Sequence, residues 1–401
     1  MYIPSTELSV ISSSEQYGVW AEMYDHGKRV ALIAKMQSSA IKAIRNGCKI
    51  EVIIGRVASS NPKLCVALRV FDLSEALLIP TAPRTHREIL GIIGITKGFK
   101  FKLSIYNEIN AVCFESECSI STSSRSFGWE ELSGGEVKPT SSIDEMNKVL
   151  DSFCYEISPH YGTTKWFESE CVVCDVSMSN IKEIPFLLEM ASNELCYQGI
   201  NSQDQGGDQE LQIAHFLQNT FIRNIYHSPN VTTGKKTREL TDILAYTEQR
   251  NFLIESKSIA VGPVLREISQ ERRISALIKH AKKALGQLEG SIKAVKRKDS
   301  LTDLYGRDIK PFTTDYNHGI AVISEFIPSD KWLEVIELIE KLAEENNAYF
   351  HVISYPELIK TLKIAGSPDI DFEQCLIQRF EAMRENRTLY IEGTDSSLPF
   401  L

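Results

Sequence analysis

Between residues 274 and 295, Ile274, Ile278, Ala281, Leu285, Leu288, Ile292 and Val295 recur at alternating steps of four and three. That spacing predicts a long helix with one continuous apolar stripe. The surrounding chain, from residue 205 onward, reads helix, hairpin, long helix, strand, helix, strand, which is an α/β arrangement. Residues 319–326 and 348–354 are further core strands with an amphipathic helix over 331–346 between them. Helices around 356–362 and 372–384 complete the pattern.

The first third reads differently. Residues 28–46 carry Val30, Ile33, Ile41 and Ile44 at helical spacing, and Gly47 follows as a C-terminal stop, which predicts a helix. Apolar β-branched runs at 50–57, 64–71 and 89–95 predict strands, and 99–105 alternates strictly as a half-buried strand does. A turn at 107–110 leads into 112–120, which predicts a hairpin. Residues 121–142 are rich in Ser, Gly and Thr and read as a loop. Ser142 with Glu145 makes a capping box for a helix to about Phe153, followed by a strand over 167–178 and a helix over 181–196. The segment Phe-Glu-Ser-Glu-Cys stands at both 114–118 and 167–171, too short a match for a repeat. The polar stretch 201–208 is the best domain boundary. The expected organisation is therefore a β-rich domain over 1–135, a connecting α/β segment over 136–204, and an α/β domain over 205–401.

At 401 residues the chain is too long for one ordinary core. It is 43% hydrophobic and 24% charged, the balance of a folded chain rather than a disordered one. No apolar run approaches the ~20 residues of a membrane helix, and no secretory signal opens the sequence. Nine cysteines, an odd and scattered set, fit reduced thiols in the cytoplasm. Cys171 and Cys174 form a lone Cys-x-x-Cys inside a strand pattern with no second pair at zinc spacing, so core thiols are expected there. The net charge of −9 argues against indiscriminate coating of nucleic acid, and leaves a local basic face open.

The chemistry concentrates in one hairpin. Residues 238–246 and 251–257 are strand candidates around the polar turn 248–251. Folding the chain back at Gln249–Arg250 sets residue 242 opposite residue 257. Glu255 and Lys257 share a face by the period of two, and a cross-strand partner shares it too, so Asp242, Glu255 and Lys257 converge. Two carboxylates and a lysine on an apolar hairpin require pairing or a metal. One reading is a cross-strand ion pair on an exposed face. The other is a divalent cation held by the two carboxylates, with Lys257 orienting or helping to deprotonate the attacking water and stabilising phosphate charge.

These residues resemble the PD-(D/E)XK nuclease superfamily, the restriction-endonuclease-like fold, over roughly residues 205–355. Its acidic residue and its Glu-x-Lys on the neighbouring strand match Thr241-Asp242 and Glu255-Ser256-Lys257, with Thr241 where a proline often stands. Glu136-Val-Lys138 and Asp308-Ile-Lys310 satisfy the Glu/Asp-x-Lys pattern without the strand context. The resemblance implies a central mixed sheet flanked by helices. It also implies a metal-side glutamate near the start of the preceding helix, which runs over 207–222 with Leu211, Ala214, Phe221 and Ile222 among its apolar positions. Glu210 is the match; a first-turn glutamate favoured by the helix dipole is the alternative, and Asp208 is a candidate cap. The helix after the hairpin is basic, with Arg273, Lys279, His280, Lys283 and Arg297 off the stripe, either a phosphate-contacting surface or a solvated face. Gln287 in Lys283-Ala-Leu-Gly-Gln-Leu288 resembles the family's Lys-to-Gln-Leu pattern and would support Lys257 or contact substrate.

The resemblance therefore implies a Mg²⁺- or Mn²⁺-dependent nuclease acting on DNA as a homodimer or larger homo-oligomer. Asp242, Glu255 and Glu210 would be ligands, Lys257 catalytic, and Arg273, Lys279, Lys283 and Gln287 nucleic-acid contacts. A nuclease fold kept as a binding or assembly module without turnover is a second expectation, and RNA as substrate a third. The layout also resembles stand-alone bacterial anti-phage effectors, an analogy of role rather than of chemistry.

Overall fold

A computed structural model describes residues 2–59, 61–72, 76–97, 100–122, 137–158, 161–189, 195–199, 204–218, 224–257, 270–311, 315–365 and 371–391. The chain is mixed α/β and divides into two compact units, one built from residues up to Phe186 and the other chiefly from Leu187 onward. Among the described residues no helix is long and apolar enough to cross a membrane.

The first unit contains α1 (Thr6–Ser14), β1 (Gly18–Tyr24), β2 (Arg29–Lys35), α2 (Ser38–Arg45), β3 (Ile50–Val57), β4 (Lys63–Val70) and β5 (Leu77–Thr81). It continues with α3 (His86–Thr96), β6 (Phe101–Tyr106), β7 (Val112–Thr122), α4 (Ile143–Ile157) and β8 (Ser169–Glu183). All eight strands form one sheet in the order β1-β2-β6-β7-β8-β3-β4-β5. Only β2 and β6 run parallel. Val19 N on β1 donates to Thr81 Oγ1 on β5 at 3.0 Å, which brings the two edges together. Side chains alternate between two cores: Val52 and Ile54 enter one, Ile53 and Val57 the other. Cys174 lies in the first core and Cys171 against the second, so the Cys-x-x-Cys thiols face opposite sides of β8. Burial pushes both thiols up to about 12.

Three expected elements differ. Residues 28–46 are a strand and a short helix, β2 and α2, not one helix. β2 is buried on both faces from Val30 onward, so its apolar run imitates a helical spacing. Residues 89–95 are the helix α3, not a strand. Thr85 caps it in a reciprocal capping box with Glu88, and Gly91 and Gly94 give it a flat side. The expected helix over 181–196 is instead the end of β8, then β9 (Phe186–Glu189) and β10 (Leu195–Gln198), which pair with each other. The expected hairpin of β6 and β7 is present, and Ser142 Oγ accepts from Glu145 N at the start of α4.

After β9 and β10, the second unit continues with α5 (Gln205–Gln218), β11 (Asn224–His227), β12 (Asn230–Thr233), β13 (Lys236–Glu239), β14 (Ile243–Tyr246) and β15 (Asn251–Lys257). Then come α6 (Gln270–Lys296), β16 (Ser300–Thr302), β17 (Asp308–Ile309), β18 (Asn317–Ile323), α7 (Leu333–Asn346), β19 (Tyr349–Ser354), α8 (Tyr355–Ala365) and α9 (Phe372–Asn386). The central sheet has the order β11-β14-β15-β18-β19. Its first three strands are antiparallel and its last three parallel, with α6 and α7 as the crossovers. The whole apolar stripe of α6, from Ile274 to Val295, is buried against Leu244, Leu253, Ala321 and Ile323. A smaller sheet, β13-β12-β16-β17, is seated on the same core through Val231, Leu301 and Ile309.

Candidate active site

The hairpin of β14 and β15 builds the site. Its turn is residues 247–250, closed by Thr247 N donating to Arg250 O at 2.9 Å. Ile243 pairs with Ile254 and Tyr246 with Asn251. Continuing that register sets Asp242 across from Glu255 rather than Lys257, one turn position away from the sequence expectation. The displacement is an even number of residues, so every side chain keeps its face. Thr241 is buried and donates Oγ1 to Ile254 O at 2.7 Å, which holds the chain against β15 just where Asp242 is presented.

Asp242 Oδ2 accepts from Ser256 N at 2.6 Å and stands 3.6 Å from Lys257 Nζ. Lys257 Nζ donates to Glu255 Oε2 at 2.7 Å, so one ammonium bridges two carboxylates. Glu255 is 2% exposed, and its carboxyl is pushed up to about 7 by burial first and then by the Asp242 charge, against the pull of Lys257. Asp242 is raised too, by burial and then by the charges of Glu210 and Glu239, while Lys257 and the Ser256 amide oppose the shift. For Lys257 burial works to lower the pKa, and the bond to Glu255 and the Asp242 charge overcome it to leave it raised. The cluster is thus a buried, overly acidic site in which two carboxylates share one cation.

Glu255 and Lys257 alternate with Ser256 along β15 and share the face of Leu253, which packs on α6. Ser256 points to the other side, where Gln209 of α5 donates to its Oγ at 2.9 Å. Glu210, the next residue of α5, is bonded to His227 Nε2 of β11 at 3.0 Å. That bond raises the pKa of His227, with burial opposing it. Glu210 is thus bonded to His227, whose neighbour Ser228 donates its amide to Asp242 O, and its charge is felt at Asp242. The helix starts earlier than expected: Asp204 Oδ1, not Asp208, accepts at its N-terminus from Gly207 N at 2.9 Å. The expected apolar positions Phe221 and Ile222 lie outside the described residues.

Lys279, Lys283 and Gln287 are exposed on α6 at successive steps of four, one face of the helix. His280 beside them is lowered by burial first, then by the charges of Lys283, Lys257 and Lys279. One imidazole thus feels both the site lysine and the helix lysines, on the side of the sheet where Leu253 packs against α6. Arg273 is committed elsewhere: it is mostly buried and its Nε donates to Glu325 at 2.6 Å. Gln209, Ser256 and His227 went unassigned in the sequence, and His280 was expected only as part of the basic helix face. Their partners lie on other elements, and no local pattern announces them.

Among the described residues no three His, Cys, Asp or Glu side chains gather as a metal-holding group. Asp242 and Glu255 alone fit a hard cation by donor chemistry. Mg²⁺ is commonly held by one or two carboxylates with substrate phosphate completing its shell, and the excess negative charge here matches a divalent ion. No family model matches the chain, and no curated protein and no solved structure matches it.

Proposed function

We propose that the chain is a metal-dependent phosphodiesterase of the PD-(D/E)XK kind, acting on DNA. The observation that carries this reading is the convergence of Asp242, Glu255 and Lys257 at the end of β15, buried and short of positive charge. An ion pair serving stability alone would sit in water or balance its charges; two buried carboxylates for one lysine do neither. The mixed sheet, with the acid on one strand, Glu-x-Lys on the next and a basic helix following, is the arrangement the family resemblance implies.

Asp242 and Glu255 would hold the Mg²⁺ or Mn²⁺ ion, whose contribution when bound is Lewis-acid polarisation of the phosphodiester and neutralisation of its charge. Lys257, released from its bridging position, would orient the attacking water and hydrogen-bond the phosphate as negative charge grows. The Ser256 amide fixes the Asp242 carboxylate, and Gln209 fixes Ser256, so α5 steadies the site from behind. Lys279 and Lys283 supply phosphate contacts at its rim.

The test is cleavage of duplex DNA, single-stranded DNA and RNA with Mg²⁺ or Mn²⁺. Lys257→Ala and Lys257→Gln should lose cutting with circular dichroism unchanged, and Asp242→Ala should lose both cutting and metal binding by calorimetry. Wild-type cutting by the folded lysine variants sinks the assignment. DNA bound and never cut, with no metal taken up, would make the unit a binding module instead.

A further inference from the structure

The basic residues of the second unit divide into two groups. Lys282 pairs with Glu334 at 2.8 Å, Lys293 with Glu289 at 2.5 Å, and Arg273 with Glu325. Lys279, Lys283, Lys235, Lys236 and Lys298 are exposed and have no acidic partner among the described residues. The unpaired group is not scattered. Lys279 and Lys283 share one face of α6 with Gln287 and Gly290 at about 100° per residue, and Arg297, which pairs with Asp299, follows directly after the helix end. At Gly290 the helix carries no side chain, and Arg238 Nη2 of β13 lies 3.7 Å from where a Cβ would stand. Arg238 therefore crosses from the small sheet onto the same face.

The far end is built the same way. The β12–β13 turn carries Lys235, Lys236 opens β13, and Thr233 Oγ1 donates to Asp299 Oδ2 at 2.7 Å. That bond fixes the turn beside Arg297 and Lys298, and Arg297 pairs with the same Asp299 oxygen at 2.7 Å. One carboxylate is thus set among five cations: Lys235, Lys236, Arg238, Arg297 and Lys298. The hairpin is a platform rather than a loose arm, because Val231 on its underside is fully buried in the unit's core. Its other strand end runs through Glu239, Leu240 and Thr241 directly into Asp242.

We propose that the β12–β13 hairpin and the exposed face of α6 form one phosphate-tracking surface for duplex DNA. It runs from the Asp242–Glu255–Lys257 site to Lys235, Lys236 and Lys298. The proposal rests on the nuclease reading of that site for its direction, but not for its charge. The helix face from Lys279 to Arg297 spans about 27 Å at 1.5 Å per residue. At about 3.4 Å per base pair the surface follows roughly eight base pairs to one side of the site. Charge selects the occupant: Lys279, Lys283, Lys235, Lys236 and Lys298, cations without acidic partners among the described residues on a chain of net charge −9, outnumber the exposed Glu239 of the same hairpin and complement a polyanion.

The experiment is equilibrium binding of a duplex of about 30 base pairs, longer than the surface, in chelator and across a salt series. The triple variant Lys235→Ala/Lys236→Ala/Lys298→Ala should flatten the slope of log affinity against log salt by about 2–3, at ~0.9 per lost phosphate contact. The Lys→Arg triple should keep the wild-type slope. An unchanged slope in the alanine triple, or no duplex binding by the wild type, overturns the proposal. Cleavage is read separately. If the wild type cuts and the slope does not change, the track falls and the nuclease stands; if the slope changes and nothing is cut, the reverse holds.

Discussion

Glu255 carries a cost that its surroundings do not relieve. In the folded chain its carboxyl titrates near 7, against 4.5 for the free side chain, because burial and Asp242 both disfavour its charge. A carboxyl raised by folding binds its proton more tightly in the native state. The contribution of Glu255 to stability is therefore fully present where its side chain is protonated in both states, below about pH 4.5, and is lost as pH climbs from there to about 7. Above that the loss is complete, on the order of 3 kcal/mol for a shift of this size. Glu255→Gln keeps the shape and a hydrogen-bonding oxygen for Lys257 without the charge. In chelator, its urea midpoint should exceed that of wild type at pH 8 and approach it below about pH 4.5, while cleavage is lost. A midpoint that falls at pH 8 would mean that Glu255 is a structural ion-pair partner whose charge the fold needs. The same variant then separates stability from function, since it removes the buried charge while keeping the side chain's shape.

At the scale of elements, α3 shows what local patterning hides. Its run of isoleucines reads as a strand by β-branching, yet Thr85 and Glu88 three residues apart are a helix start signal as plain as Ser142 and Glu145. The glycines decide the packing. A Cβ on Gly91 would stand 2.5 Å from the Ala21 carbonyl carbon and 2.6 Å from its oxygen, so the helix can lie on β1 only because that Cβ is missing. Gly91→Ala should destabilise the first unit by about 1–3 kcal/mol or more, since backbone must move. Exposed Leu90→Ala, one residue away, should cost under about 1 kcal/mol. Equal effects of the two in denaturant melts would remove the close approach as the cause. β2 was illegible for another reason: a strand buried on both faces has neither period. The hairpin of β14 and β15, though buried on both faces like β2, was legible because two short apolar runs flank a polar turn and its Glu-x-Lys is local, and an error of register by an even step cannot change a face. Gln209 with Ser256 and Glu210 with His227 depend on how α5 lies over the sheet, which no residue-by-residue pattern encodes.

Across the whole molecule, each unit has its own buried core, and the candidate site draws every one of its side chains from the second. A ligand that binds a native state and not its unfolded form stabilises what unfolds with that site, by about 2.7 kcal/mol at a hundredfold excess over the dissociation constant. The metal should therefore act on one unit alone. Trp20 is buried in the first unit and Trp332 in the core of the second, which gives each its own fluorescent reporter once Trp129 and Trp166 are replaced by phenylalanine. In chains keeping one or the other, adding Mg²⁺ should move the Trp332 transition to higher denaturant and leave the Trp20 transition where it was. Asp242→Asn should erase that shift, because it removes a ligand charge without disturbing either core. If both reporters move together, the units unfold as one and the metal's effect does not localise. If neither moves while DNA is still cut, the ion enters only with substrate phosphate, which two carboxylates and no third ligand would also permit. Repeating the titration with a non-hydrolysable duplex present distinguishes that case, because the Trp332 shift must then appear and the Trp20 transition must still stay fixed.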